Sequence, residues 1–191
     1  TYHQLFCKRL EQTIHEEKLG NFKRLLEILV VANRDETNKI DIMKAKSDAE
    51  QLSKVLGNTI VNERMIIEML SVRSFLHIRI ICDEFKKLTG TSLERSIKYK
   101  ISEHLQDALV AIIRISIDPL QFYARRINKA INYYVLDEGA LARLIIARSE
   151  IDLLDIKEEF NRVFRKSLKS RLKGDISGSY QTALLTLLGE N

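Results

Sequence analysis

Laid against itself at an offset of 75 residues (148 minus 73), this chain repeats. Arg73-Ser74 falls on Arg148-Ser149, Glu84-Phe85 on Glu159-Phe160, and Ser92-Leu93 on Ser167-Leu168. The same offset carries Ile101-Ser102 onto Ile176-Ser177 and Ala108-Leu109 onto Ala183-Leu184, with Ala49 on Ala124 and Lys54 on Lys129 upstream. No gap is needed. Self-similarity in one fixed register means a structural unit that stacks on its own copies. A shorter copy opens the chain, where Leu10, Ile14, Gly20 and Phe22 match Leu168, Leu172, Gly178 and Tyr180. The expected organisation is the tail of a truncated repeat (1–31), a polar linker (32–43), a complete repeat (44–116) and a second complete repeat (117–191).

Each complete copy reads as helices. One Pro and seven Gly in 191 residues leave few breakers, which favours helices over a sandwich or barrel. In the second copy, five helical stretches are expected at about 119–131, 137–146, 150–165, 167–173 and 177–188. In the third stretch, Ile151, Leu154, Ile156, Phe160, Val163 and Phe164 fall on one face at the helical period. Ser149 stands ahead of it as an N-cap, with Asp152 three residues on as a box-like partner. The best strand candidate is Ala111 to Ile117. It continues an apolar pattern from Leu105 and Ala108, so its length favours a buried helix. The fold class is all-α.

Charge narrows the partners. A net charge of +5 and a pI of about 9.2 suit an anionic surface: acidic membrane, acidic protein or nucleic acid. There is no run of five basic residues, so no basic tail. Arg125-Arg126 near Lys129 reads as a solvated helix face. His3, His15, His77 and His104 are scattered without metal-ligand spacing. Cys7 and Cys82 have no partner motif and read as reduced thiols of a cytoplasmic protein. No phosphate-cradling glycine loop appears, and no pair of carboxylates is placed for catalysis; the expectation is a non-enzyme. The longest apolar stretch, Ala108 to Ile117, is broken by Arg114 and is far shorter than the roughly 20 residues that span a bilayer.

The residues that carry the repeat also carry a resemblance. The string Arg148-Ser149-Glu150-Ile151-Asp152-Leu153, then Ile156-Lys157-Glu158-Glu159-Phe160, Lys166-Ser167-Leu168 and Lys173-Gly174-Asp175-Ile176-Ser177-Gly178-Ser179-Tyr180 resembles the last annexin repeat. Asp48-Ala49, Arg73-Ser74 and Ser92-Leu93-Glu94-Arg95-Ser96-Ile97 resemble the third. The Ala32-Asn33-Arg34-Asp35-Glu36 segment looks like the connection ahead of the third repeat. The likeness covers nearly the whole chain. It implies repeats of about five helices in a right-handed superhelical stack whose convex face meets acidic phospholipid through calcium. The family's main site combines carbonyls of a glycine-rich loop between the first two helices with a carboxylate some forty residues later.

Calcium takes about six to eight oxygens, and turning carbonyls toward one point favours glycine. In the second complete copy the loop position is Asn132-Tyr133-Tyr134-Val135-Leu136. Tyr133 and Val135 stand where the glycines would be, but the carboxylate, Asp175, is present as a residual ligand; a helix cap is the competing role. In the first complete copy the loop is Gly57-Asn58-Thr59-Ile60-Val61, and the carboxylate position (175 minus 75) is Lys100. In the truncated copy, Glu17 matches Asp175. The resemblance then implies a peripheral protein, cytoplasmic and at membranes, that binds acidic phospholipid with calcium dependence weak or lost in the complete repeats. Lys100, Tyr133 and Tyr134 are the expected membrane-facing residues. The alternative is a calcium-independent protein-interaction or scaffold module. Nucleic acid is disfavoured.

Overall fold

The computed structural model describes residues 2–16, 20–37, 39–132 and 136–189. Among them are thirteen α-helices and no strand. Helices α1 (Tyr2–Phe6), α2 (Leu10–Glu16) and α3 (Gly20–Val30) come first. Two sets of five follow: α4 (Ile42–Gly57), α5 (Glu63–Val72), α6 (Phe75–Thr89), α7 (Leu93–Lys100) and α8 (Glu103–Ile117), then α9 (Pro119–Ile131), α10 (Glu138–Arg148), α11 (Leu153–Phe164), α12 (Leu168–Asp175) and α13 (Gly178–Leu187). The chain divides into two compact units at residues 117 and 118.

Short polar side chains start most of these helices by accepting otherwise orphaned backbone N–H groups. Asp41 accepts from Lys44 N at 2.9 Å, Ser92 from Arg95 N at 3.3 Å and Ser167 from Ser170 N at 3.1 Å. Asp118 accepts from Gln121 N at 2.9 Å, ahead of Pro119 at the first helical position, where a missing N–H costs nothing. The Asp41 cap starts α4 at Ile42, within the segment expected as linker. At the end of α6, Gly90 takes the left-handed conformation with φ +71. Its counterpart after α11 is Arg165, at φ +53. A side chain tolerates that conformation poorly.

In the first unit α4 packs on α6, α6 on α8, and α3 on α5 and α8. In the second, α9 packs on α10 and α11. Each unit has its own apolar core, and the two cores run in the 75-residue register. Leu52 and Ile127, Ile81 and Ile156, Phe85 and Phe160, Leu93 and Leu168, and Leu109 and Leu184 are all buried. Burial of such side chains stabilises by roughly 1.5–3 kcal/mol each, which is why the register survives at these positions.

Two expectations for the third helix of the second copy fail. Ile151 and Leu154 are each 68% exposed; the buried stripe consists of Leu153, Ile156 and Phe160. Ser149 does not cap that helix either. It is the C-cap of α10, in right-handed helical conformation, and its hydroxyl donates to Ile146 O at 2.9 Å. Asp152 is the N-cap residue of α11 but accepts no cap hydrogen bond. Both of its oxygens are taken by Arg148, at 2.7 and 2.5 Å. In the first copy the expected geometry does occur: Ser74 accepts from His77 N at 3.2 Å and α6 starts at Phe75.

The difference traces to one arginine. Arg73 ends α5 and reaches across to Asp48 of α4, with Nε at 2.8 Å and Nη2 at 3.2 Å. His77 Nε2 lies 3.0 Å from the same carboxylate. In the second copy the Asp48 position is Tyr123 and the His77 position is Asp152. Arg148 lies over the Tyr123 ring, 4.5 Å from its centroid, and finds its carboxylate on α11's side.

Candidate functional site

The loop after the first helix of each copy and the end of its fourth helix are the two places the sequence singles out. In the first complete copy they meet. Asn58 follows Gly57 in extended conformation, so α4 stops and its next carbonyl turns outward. Lys100 is the last residue of α7, and its Nζ donates to Asn58 O at 3.3 Å across 42 residues of sequence. The ammonium therefore lies at the loop, against a carbonyl oxygen. It has no carboxylate partner among the described residues. Ile60 in the loop is 88% exposed and Tyr99, beside Lys100, is 85% exposed.

In the second complete copy the same two places are joined by another side chain. Asp175 is the last residue of α12. It does not cap α13, whose N-cap residue is Ser177. Its Oδ2 pairs with Arg171 Nε at 3.3 Å, one helical turn back. The same guanidinium donates through Nη2 to Asn132 Oδ1 in the loop after α9. Arg171 thus ties the carboxylate to the loop. Tyr133, Tyr134 and Glu17 lie outside the described residues.

Both complete copies accordingly carry a protein cation between the fourth helix and the first loop. The cations do not come from matching positions. Lys100 matches Asp175, while Arg171 matches Ser96. Sequence reasoning found Lys100 because it replaces the expected acid. It missed Arg171, because nothing in a local motif tells an arginine one turn before a carboxylate from a solvated i,i+4 pair. Among the described residues no group of three or more His, Cys, Asp or Glu side chains could hold a metal ion, and no helix is long and apolar enough to cross a membrane.

Comparison with known proteins agrees with this architecture. The annexin family model matches residues 47–112 and again 122–187, two segments that begin 75 residues apart. Annexin A3 of Mus musculus is 36% identical over 191 residues, which is all of this chain and 59% of that protein. Human annexin A11 is 35% identical over 191 residues, 38% of its length. The chain therefore spans less than two thirds of these relatives. Among solved structures, annexin III superposes with a TM-score of 0.94 at 35% identity, covering 100% of this chain and 59% of that one. A calcium-bound annexin, annexin (Sm)1, superposes at 0.83 with 28% identity, over 96% of this chain and 54% of that one. With both complete repeats matched and relatives of this identity along its whole length, the chain belongs to the annexin family.

Proposed function

We propose that this chain is an annexin-type peripheral module that binds acidic phospholipid, with calcium dependence weak or lost in its two complete repeats. It acts by binding, not catalysis, at the cytoplasmic side of membranes. Annexins bind phospholipid and calcium and associate with membranes; the chemistry of this chain's own residues supports the narrower reading.

The observation that carries it is the Lys100 ammonium on the Asn58 carbonyl. A divalent ion about 4 Å from a unit positive charge is repelled by about 2 kcal/mol in water and about 8 kcal/mol under surface-like screening. Lys100 is exposed and can swing away, so repulsion alone is not decisive. The larger deficit is the absent carboxylate, whose two oxygens and negative charge calcium would need. Ile60, β-branched, also stands where a glycine would open the loop. In the second repeat Asp175 remains as a residual ligand, but Arg171 already occupies it.

A carbonyl is a neutral partner, so it does not offset the Lys100 charge as a carboxylate would. Lys100 is the membrane-facing cation of this reading, attracting anionic headgroups at about 1 kcal/mol per such side chain near a bilayer surface. Tyr133 and Tyr134 are the aromatic residues assigned to the interface in the second repeat, and Glu17 the acid of the truncated one.

Titration calorimetry of the chain with calcium should give no saturable heat. The double variant Ile60→Gly/Lys100→Glu should bind calcium, because it returns both the glycine and the acid. Co-sedimentation with vesicles of phosphatidylserine should be equal in chelator and in calcium. Pelleting that calcium strengthens, and that Asp175→Ala abolishes, would overturn the reading. No pelleting under either condition would favour the scaffold alternative.

A further inference from the structure

The outer side of α7 carries more positive charge than the closing of a loop requires. Leu56 at the end of α4, Thr91, and Arg95, Ser96, Lys98, Tyr99 and Lys100 line an open cleft of roughly 410 Å³. Three of the seven are cations, three carry hydroxyls, and none is an acid. Glu94, beside the cleft, is already overcommitted. It pairs with Lys98 at 2.7 Å and with Arg114 at 2.6 Å, so one negative charge faces two positive ones. Arg95 is exposed and has no ion-pair partner among the described residues. Lys100 rests on a neutral carbonyl. The cleft is therefore a concentration of uncompensated positive charge with hydroxyl donors at hand, which is what a phosphate group requires.

We propose that this cleft, between the end of α4 and α7, is a metal-free site for the phosphate group of an anionic lipid headgroup. The proposal rests on the membrane reading above and names the residues that would give it specificity. Arg95 supplies a planar fork for two phosphate oxygens, Lys98 and Lys100 supply point charges, and Thr91 and Ser96 supply hydroxyls. The source is a bilayer rather than a soluble phosphate, because exposed Tyr99 lines the cleft and exposed Ile60 stands in the loop whose Asn58 carbonyl holds Lys100. An apolar side chain and a phenol with a polar tip suit the headgroup boundary; a free phosphate would gain nothing from them.

The second copy provides an internal contrast. At the matching positions Arg95 becomes Ser170, Tyr99 becomes Gly174 and Lys100 becomes Asp175. An arginine does enter one position on, where Ser96 becomes Arg171, but its guanidinium is already engaged by Asp175 and Asn132. The aromatic is gone, and an acid has entered. The acid-free set of Arg95, Lys98, Tyr99 and Lys100 is therefore not reproduced at the second copy's matching positions.

The test is flotation of the whole chain with phosphatidylcholine vesicles carrying phosphatidic acid, in chelator. Arg95→Ser installs the second copy's residue at an exposed position. Lys173→Ser, at the position matching Lys98, removes one positive charge outside the cleft. We expect Arg95→Ser to lower vesicle affinity about fivefold or more, Arg95→Lys to recover only part of it, and Lys173→Ser to leave it within about twofold. Equal losses from Arg95→Ser and Lys173→Ser, or no loss from Arg95→Ser, overturn the cleft while leaving membrane binding intact. If the unmodified chain does not float at all, the membrane reading fails instead. Titration with glycerol phosphate then separates the sources: shifted Thr91, Arg95 and Tyr99 amide signals in a chain that does not float would mark a soluble-phosphate site and overturn the bilayer source, and unmoved signals would overturn the phosphate site itself.

Discussion

Asp48 sits within α4 with 3% of its surface exposed, between a guanidinium and an imidazole. The Arg73 guanidinium is held above its usual pKa, chiefly by its hydrogen bonds to that carboxylate. Removing the acid would leave Arg73 half-buried and His77 buried, without the α4 carboxylate that accepts from them. Breaking a buried pair from one side costs about 3–5 kcal/mol. Because Arg73 retains some solvent, Asp48→Ala should cost toward the lower end, about 3 kcal/mol, measured as a fall in the urea midpoint of the first unit. Asp152→Ala in the second unit should cost less, about 1–2 kcal/mol, since Arg148 keeps the Tyr123 ring beneath it. Equal costs would mean that the ring contributes nothing. Sequence marked Asp48, Arg73 and Arg148 as motif letters but not as partners, because pairing across 25 residues is a property of helix packing. His77 was legible only as one of four scattered histidines.

Helix boundaries show where one copy informs the other and where it does not. Ser74 caps α6, so Ser74→Ala should destabilise the first unit by about 1 kcal/mol. Ser149→Ala, at the matching position, should cost no more than about 0.5 kcal/mol, because Ser149 accepts from no helical N–H. Paired thermal melts check the contrast, and equal losses would show that Ser149 caps after all. The motif was readable and still misled. Its outcome depends on whether Asp152 is free, and Arg148 had taken it. The joint between α7 and α8 carries a pH dependence. Glu94 is held below the usual glutamate range, first by the Arg114 hydrogen bond and then by Lys98, against partial burial. A depressed carboxyl contributes stability that is complete above the pKa of an unfolded glutamate and is lost as pH falls through the lower folded value. Glu94→Gln should therefore flatten the acid limb of stability against pH in that window, read from urea midpoints. An unchanged acid limb would place the dependence elsewhere.

Across the chain, the 75-residue register made the fold legible, because buried positions such as Phe85 and Phe160 hold their apolar identity from copy to copy. The candidate sites were legible only where an expected letter was replaced by its opposite, as at Lys100. Arg171 and the Arg95 cleft arise from side chains that converge in space, and a register aligns positions without reporting convergence. The arginine with two alternative partners has a further consequence. The two copies share a register but are not interchangeable. Transplant α9 in place of α4, and Arg73 would meet a tyrosine while His77 lost its carboxylate. Make the reverse exchange, and Arg148 would stand between two acids. Any crossover joining the first helix of one copy to the third helix of the other yields a unit with either no acid or one too many. Each copy is thus insulated from its sibling, and the chain can keep a lysine at position 100 in one repeat and an aspartate at position 175 in the other.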